Sequence, residues 1–180
     1  ISSNAVVGTV WKTMLNARIP VLSDLLDLFG IDTAMLLGSS TTAIVTVSMI
    51  MVWKSFGYYM VLNLATLLSI PDSYYEAAKV DGGGTLQRFR YITLPLMKPA
   101  IIMDVFLSVV SSLQSFELIY TMTGGGPANS TMTMVFYAYN LTFKTGKAGY
   151  AMAVSNVLFL LVRAVMVLQK GFMKREASKI

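Results

Sequence analysis

Long uncharged stretches of apolar residues alternate with short polar segments along this chain. Residues 34–53 contain no charged side chain, and a helix needs about 20 such residues to cross a hydrocarbon layer about 30 Å thick. The stretches 99–120 and 148–169 are of similar length and hold only one or two charges each. We therefore predict three membrane-spanning helices, at 34–53, 99–120 and 148–169.

A fourth uncharged stretch, residues 55–71, has a different pattern. Lys54 precedes it, Gly57 interrupts it, and polar residues such as Asn63 recur along one side. A helix with one polar side is typical of a partly buried position rather than of a lipid-facing span. We predict a half-buried helix near the cytoplasmic surface.

The first 33 residues are predicted to be the end of a truncated span and an outer loop. Residues 1–10 fit the outer end of the span, and residues 20–31 fit a loop with a short amphipathic helix. The apolar positions of that helix are Leu22, Leu25, Leu26 and Phe29. Because the chain starts at Ile1 without a signal-peptide layout, we expect it to be the C-terminal part of a longer subunit.

Basic residues lie in two groups beside the predicted spans. One group follows the first span and the other follows the third, and they comprise Lys79, Arg88, Arg90 and Lys98, and Lys170, Lys174, Arg175 and Lys179. The positive-inside rule places both groups in the cytoplasm. The connection 121–147 and the start of the chain then lie outside.

Composition supports a membrane protein and argues against catalysis. The chain is 55% hydrophobic and 13% charged, with a mean hydropathy of +0.64, which is too apolar for a soluble domain. It has no cysteine and no histidine, so the usual metal ligands and general bases are missing. We expect no metal site, no cofactor and no nucleic-acid partner, since the net charge of +5 is explained by topology.

The sequence of the polar segment 69–95 predicts two short helices joined by a glycine turn. Ser69 and Pro71 favour a helix start. The run 81–84 favours its end, because glycine readily adopts the left-handed conformation found at helix ends. A second short helix, capped by Thr85, is predicted to follow the turn.

This segment has the features of a docking surface for a partner protein. Ala77 and Ala78 let another surface approach closely, Glu76 offers a charge-assisted acceptor, and Gly82 makes the turn. Because both ends of the segment join spans, moving the partner would move the spans. The alternative is an amphipathic loop with no partner.

The outer connection 121–147 is predicted to hold a glycine loop and a helix. Gly124 opens the loop, and Asn129 or Ser130 can cap the helix. The apolar and aromatic face of that helix consists of Met132, Val135, Phe136, Tyr139 and Phe143. This face is either interfacial or packed on the other spans.

Asp104 and Arg163 are two of the three charged residues inside the predicted spans, where an ionisable group needs a partner or a wet cavity. Asp104 and Arg163 are both predicted to lie roughly 8 to 10 Å from the cytoplasmic edge, at about 1.5 Å rise per residue. We predict that they form an ion pair. In the alternative, Arg163 extends to the headgroups and Asp104 faces water.

Amide, carboxylate and aromatic side chains near the outer ends of the spans suggest a path for a polar solute. Gln114, Glu117 and Tyr120 lie toward the outer end of the second span, and Asn156 lies at a similar depth in the third. Such groups bind sugars by hydrogen bonds and stacking. The alternative is hydrogen bonding between helices, above all for Asn156.

The spacing within the polar segment resembles a family motif. Glu76-Ala77-Ala78, three residues, Gly82, nine residues and Ile92-Thr93-Leu94-Pro95 match the EAA loop of binding-protein-dependent ABC importers. Further likeness covers most of the chain from about residue 30, including Trp53 to Pro71, Phe89 to Pro95, Ser115 to Pro127 and Gly149 to Ala151. That second set is similar to the carbohydrate permeases, of the maltose and glycerol-3-phosphate type.

The resemblance implies an all-α, polytopic membrane helix bundle of the ABC importer permease (MetI-like) type. It implies a partner permease, an extracytoplasmic solute-binding protein, a sugar-like solute and a place in the inner membrane. It also implies that Glu76, Ala77, Ala78, Asp81 and Gly82 dock on a cytoplasmic ATPase. The chain has no phosphate-loop motif of its own, so ATP hydrolysis is expected in that separate subunit.

The chain departs from the family pattern in two ways, and two other functions are compatible with its sequence. Gly83 stands where the family usually has alanine, which we expect to loosen the turn, and fewer spans are present than in a complete subunit. An importer permease for a non-sugar solute is one alternative. The other is an ATP-independent carrier or a membrane scaffold.

Overall fold

The regular structure of the described residues is helical, without a strand. The computed structural model describes residues 3–16, 28 and 33–177. The helices are α1 Asn4–Asn16, α2 Thr33–Gly38, α3 Ser40–Leu68, α4 Asp72–Val80, α5 Thr85–Arg88, α6 Leu94–Leu113, α7 Glu117–Met122, α8 Met134–Tyr139 and α9 Ala148–Ala177, with π-helical turns at Phe89–Thr93 and Asn140–Lys144. The all-α prediction is confirmed.

Three helical stretches of the described chain are long and apolar enough to cross a membrane, as predicted. They are Ser40–Leu68, Thr85–Leu113 and Ala148–Lys174. The first two contain 29 residues each, or about 44 Å of helix at ~1.5 Å per residue, which exceeds the ~30 Å hydrocarbon layer. Each therefore has length to spare beyond the hydrocarbon.

Helix α3 joins two segments that the sequence pattern separates. Its single run, Ser40–Leu68, includes Lys54 and Gly57, so the prediction of a separate half-buried helix at 55–71 is wrong. A glycine inside a helix costs only about 1 kcal/mol. The apolar residues on both sides of Gly57 outweigh that cost.

The second predicted span, 99–120, is displaced along the chain. Helix α5 continues through the first π-helical turn into α6, so this span begins at Thr85 and ends at Leu113. Pro99 lies inside α6, which membrane helices tolerate because other groups satisfy the freed carbonyl. A new helix, α7, begins at Glu117.

The described chain separates into two compact units. The first comprises residues 1–53 and 111–162, and the second comprises residues 54–110 and 163–180. Helices α3, α6 and α9 each contribute residues to both units. The segment 69–95 belongs wholly to the second unit.

The core of the first unit lies around α7 and α8. Phe136 and Met122 are fully buried there, with Ile50 of α3 beside them. Helix α1 packs on α7 at Gly8, where a Cβ atom would overlap the Thr121 hydroxyl. A glycine at this position lets the two helices come close together.

The outer connection packs against this core. Thr133, rather than Asn129 or Ser130, caps α8, since its side chain accepts a hydrogen bond from the Phe136 N–H. Phe136 is 0% exposed, which favours the packed alternative over an interfacial helix for this part of the face. Phe143, at the other end of the face, is exposed.

The predicted amphipathic helix within 20–31 lies, apart from Leu28, outside the described residues. The same holds for the basic residues Arg18 and Lys179.

Candidate functional site

Helix α4 begins two residues later than the sequence pattern predicts. Its N-cap is Pro71, in an extended conformation and without a side-chain cap. The Ser69 hydroxyl instead donates a 2.7 Å hydrogen bond to the Thr66 carbonyl, at the end of α3. Ser69 therefore closes the preceding helix rather than opening α4, and Pro71 separates the two.

The glycine turn that ends α4 forms as predicted. Gly82 has φ of +76°, the left-handed region that glycine enters without a Cβ penalty. Its N–H donates to the Lys79 carbonyl at 3.1 Å, and the Gly83 N–H donates to the Ala78 carbonyl at 2.8 Å. These two bonds form a Schellman motif, which satisfies carbonyls at the end of the helix.

Gly83 closes this turn instead of loosening it. A Cβ atom at Gly83 would lie 2.7 Å from the Ala78 oxygen, the same atom that its N–H binds. The chain therefore uses glycine here for a close backbone approach. An alanine at this position would require the turn to open by a small shift.

The α4 helix leaves its predicted docking residues open. Glu76, Ala77, Asp81 and Gly82 are exposed, and Ala78 is half-buried. No side chain in α4 is buried. This strip of sequence, residues 76–82, is therefore largely accessible at the end of α4 and its turn.

Two apolar side chains beside this strip were missed from the sequence. Val80 is 88% exposed and Leu86 is 78% exposed, and they lie on either side of the glycine turn. Exposed apolar side chains beside charged ones are typical of a protein–protein contact. The available signal was their position, since they are large apolar residues within an otherwise polar segment.

A hydrogen bond between hydroxyls holds α4 to the next segment. Tyr75 Oη lies 3.0 Å from Thr93 Oγ1, and Thr93 is only 8% exposed. The bond joins α4 to the first π-helical turn, 18 residues along the chain. The segment 69–95 is therefore braced internally as well as by its turn.

The second short helix continues into the span instead of ending. Gly84 is the N-cap of α5, and its N–H donates to Gln87 Oε1 at 2.8 Å. Thr85, the predicted cap, is the first residue of the helix. The segment is thus continuous with α6, so a displacement of α5 acts directly on a candidate span.

Asp104 has a different partner from the one predicted. Its carboxylate accepts a hydrogen bond of 2.6 Å from Asn63 Nδ2 of α3, and no ion pair joins it to Arg163 within the part of the chain that the structure describes. Arg163 is exposed. Helix α9 meets α6 at Phe172 and Phe106, whose ring centroids are 6.0 Å apart. Arg163 lies nine residues before Phe172, or about 13 Å away along α9, and is therefore far from the contact that brings α9 close to the Asp104 end of α6.

The predicted second span is interrupted where the candidate path residues begin. Helix α6 ends at Leu113, so Gln114 lies in the break, and Glu117 begins α7. Both are exposed, as is Asn156 in α9. No contact in the described part of the chain brings these three side chains together.

Tyr120 belongs to an aromatic cluster at α7 and α8. Its ring stacks on Phe116, with centroids 5.5 Å apart, and meets Tyr139 edge-on at 5.7 Å. The hydrogen bond with Tyr120 raises the pKa of Tyr139 above its ordinary value. The Tyr120 side chain is 47% exposed, so part of its surface remains open to another molecule.

The first unit contains a cleft that sequence reasoning did not predict. Its volume is about 340 Å³, within the usual range for small-molecule sites. Half of its lining residues are apolar, and the polar side chains are all hydroxyls, from Ser48, Ser112, Ser115, Ser130, Thr131 and Thr133. Scattered serines and threonines carry little signal in a sequence, because only the fold places them together.

One hydroxyl of this cleft lacks a hydrogen-bond partner. Ser130 Oγ is buried and unsatisfied, which is unusual for a buried polar atom. Thr133 Oγ1 donates instead to the Ser115 carbonyl at 2.7 Å, at the break between α6 and α7. Among the described residues no three acidic side chains gather to hold a metal ion.

Comparison with known proteins identifies relatives among membrane permeases. The sequence matches the family described as binding-protein-dependent transport system inner membrane component over residues 7–177. The sulfoquinovosyl glycerol permease SmoG of Agrobacterium fabrum is 35% identical over 158 residues, covering 88% of this chain and 51% of SmoG. The multiple sugar-binding transport permease MsmF of Streptococcus mutans is 32% identical over 175 residues, covering 97% of this chain and 60% of MsmF.

A third relative matches over a similar share of the chain. The trehalose/maltose permease MalF of Thermococcus litoralis is 33% identical over 168 residues, covering 92% of this chain and 57% of MalF. The chain thus spans between half and three fifths of the length of these relatives.

The fold agrees as well. A crystal structure of a bacterial ABC transporter involved in alginate import superposes with a TM-score of 0.82 at 23% identity, covering 96% of this chain and 61% of that one. A crystal structure of a bacterial alginate ABC transporter in complex with an alginate-bound periplasmic protein gives the same TM-score. The predicted family is confirmed, and the chain belongs to the inner membrane components of binding-protein-dependent transport systems.

Proposed function

We propose that this chain is a permease subunit of an ATP-driven importer and that segment 69–95 docks on a cytoplasmic ATPase subunit. The observation that carries the proposal is the braced turn at the end of α4. It presents Glu76, Asp81 and Val80 between two candidate spans, which is the arrangement that a groove in a partner protein can hold. Family membership supports the same assignment.

The docking residues have distinct roles in this proposal. Ala77 and Ala78 admit the partner close to the helix backbone, and Glu76 accepts hydrogen bonds from its basic or amide groups. Asp81 and Gly82 form the tip of the turn. Val80 and Leu86 add apolar contact that is removed from water on docking.

ATP binding would be coupled to transport by moving this segment. Closure of the ATPase pair displaces the groove, and the docked segment follows. Because α5 continues into α6, and α4 follows α3 after only three residues, both candidate spans are displaced with it. The solute pathway would then open alternately to the two sides of the membrane, with ATP hydrolysed in the partner subunit.

The solute we propose is sugar-like. SmoG, MsmF and MalF carry names that refer to sugars or a sugar derivative, and the hydroxyl-lined cleft suits a neutral polyol. Ser48 and Ser112 offer exposed positions in its wall from which a hydroxyl can bond a solute. Gln114, Glu117, Tyr120 and Asn156 stay candidates for the remaining pathway.

Further partners complete the proposed assembly. A second permease subunit would lie beside this one in the lipid bilayer, and an extracytoplasmic solute-binding protein would deliver the solute. The alginate transporter bound to its periplasmic protein supports that arrangement. In this orientation, segment 69–95 and the C-terminus face the cytoplasm.

Co-purification of the complete subunit with its ATPase tests the proposal. We expect Glu76→Lys and Gly82→Pro each to abolish the complex, because one reverses the charge of the strip and the other breaks the turn. Glu117→Lys is the matched control, since it makes the same charge change on an exposed residue outside the segment. Undiminished ATPase association in both test variants would refute docking through this turn.

A further inference from the structure

Asn63 and Asp104 make a polar contact between two candidate spans of the second unit. Asn63 Nδ2 donates to Asp104 Oδ2 at 2.6 Å and to the Tyr59 carbonyl at 2.8 Å. Both side chains are half-buried. A carboxylate within a span is costly without a partner, and the second bond, to its own helix, fixes the direction of the Asn63 amide.

This contact joins the two helices that flank segment 69–95. Asn63 lies five residues before the end of α3, and Asp104 lies in α6, 41 residues later in the chain. The hydrogen bond therefore closes a loop that contains the whole of segment 69–95, the proposed docking segment. Within that loop, the bond between Tyr75 and Thr93 joins α4 to the π-helical turn that leads into α6.

We infer that Asn63 and Asp104 are positioning residues that make α3 and α6 move as one body when the docking segment is displaced. The inference rests on the proposed function. Without the bond, the two helices at the ends of the segment would be free to separate, and a displacement of the turn would spread them apart. ATP would then be hydrolysed with less solute moved.

The chain offers well-matched variants for this inference. Asn63→Leu and Asp104→Leu remove the bond, and they replace a polar side chain in a span by an apolar one of similar size, which favours insertion. Asp104→Asn removes the charge but keeps an oxygen that accepts from Asn63. Ser108→Ala is the control, because the Ser108 hydroxyl donates only to Val105 of its own helix, at 2.8 Å.

The first measurement is the number of solute molecules imported per ATP hydrolysed, in liposomes that contain the complete assembly. We expect each leucine variant to lower this ratio by about fivefold or more, and the double leucine variant to fall no further. Asp104→Asn and Ser108→Ala should stay within about twofold of the unmodified protein. A purely structural role would reduce the amount of assembled transporter and leave the ratio unchanged.

The second measurement separates this inference from the proposed function. These 180 residues contain no cysteine, and any cysteine elsewhere in the complete subunit is first replaced by serine. Spin labels attached through Leu68→Cys and Leu96→Cys, both exposed positions, then report the distance between the ends of α3 and α6. We expect a narrow distance distribution in the complete subunit and a broad one with Asn63→Leu, whether or not an ATPase is bound. Equal distributions, or leucine variants with an unchanged import ratio, would overturn the inference.

Discussion

The tip of the docking segment depends on the backbone of one residue. Gly82 adopts φ of +76°, and a Cβ atom added there would meet no atom within 4 Å. A side chain at this position is therefore opposed by the backbone conformation alone. Within this chain, a substitution at Gly82 therefore tests the turn, without a contribution from lost contacts.

We expect Gly82→Ala to destabilise the turn by roughly 1–2 kcal/mol, because a residue with a Cβ atom resists the left-handed conformation. ATPase binding should weaken by on the order of tenfold, since about 1.4 kcal/mol corresponds to a factor of ten. Titration of the reconstituted subunit with its ATPase measures this change. Gly84→Ala serves as the control, since its added Cβ would lie 3.7 Å from Gln87 Oε1, an ordinary contact, and an equal loss in both variants would contradict the argument.

The break between α6 and α7 divides the helix predicted as one span at 99–120. Residues 114–116 contain no glycine or proline, so nothing local signals a break there. The break is instead held from a distance, because Thr133 Oγ1 donates to the Ser115 carbonyl 18 residues earlier in the chain. The same side chain caps α8.

Replacing Thr133 by valine should therefore destabilise the first unit by about 1–2 kcal/mol, since a helix cap and a carbonyl partner are both lost. Thermal unfolding of the purified subunit in detergent measures this effect. Thr142→Val is the control, because the Thr142 hydroxyl bonds only to the Ala138 carbonyl of the preceding turn, at 3.0 Å. A Thr133→Val protein as stable as this control would show that the break does not depend on Thr133.

Local patterns predicted the helices and the glycine turn, and distant contacts explain what they missed. The three apolar stretches and the sequence at 81–84 each carry their own signal, because hydropathy and glycine conformation act locally. The pairing of Asn63 with Asp104 spans 41 residues. The hydroxyl-lined cleft likewise gathers residues from α3, the α6–α7 break and the outer connection, so neither feature has a local signature.

The molecule as a whole combines a docking segment in one unit with a cleft in the other. Helices α3 and α6 supply residues to both, since Ser48 and Ser112 line the cleft while the far ends of the same helices adjoin segment 69–95. Solute contact and ATPase contact should therefore be separable by mutation. Blocking the cleft should leave docking intact.

We expect Ser48→Leu to lower ATP-dependent uptake by about tenfold or more, because the larger side chain fills part of the cleft and removes a hydroxyl. ATPase association should be unchanged. Uptake of radiolabelled sugars into liposomes and co-purification provide the two measurements. Ser155→Leu, an exposed position of α9 outside the cleft, is the control, and normal uptake by Ser48→Leu would remove the cleft from the pathway.

The side chains of the cleft wall would favour release of a bound solute. A hydroxyl both donates and accepts, and it rotates to exchange one partner for another. A solute in this cleft would meet hydroxyls and apolar side chains, and no ionised group that could hold it in a deep energy minimum. Passage needs binding strong enough to admit a molecule and weak enough to let it leave, so a wall of hydroxyls and apolar side chains without a charge suits a transit point better than a tight-binding site.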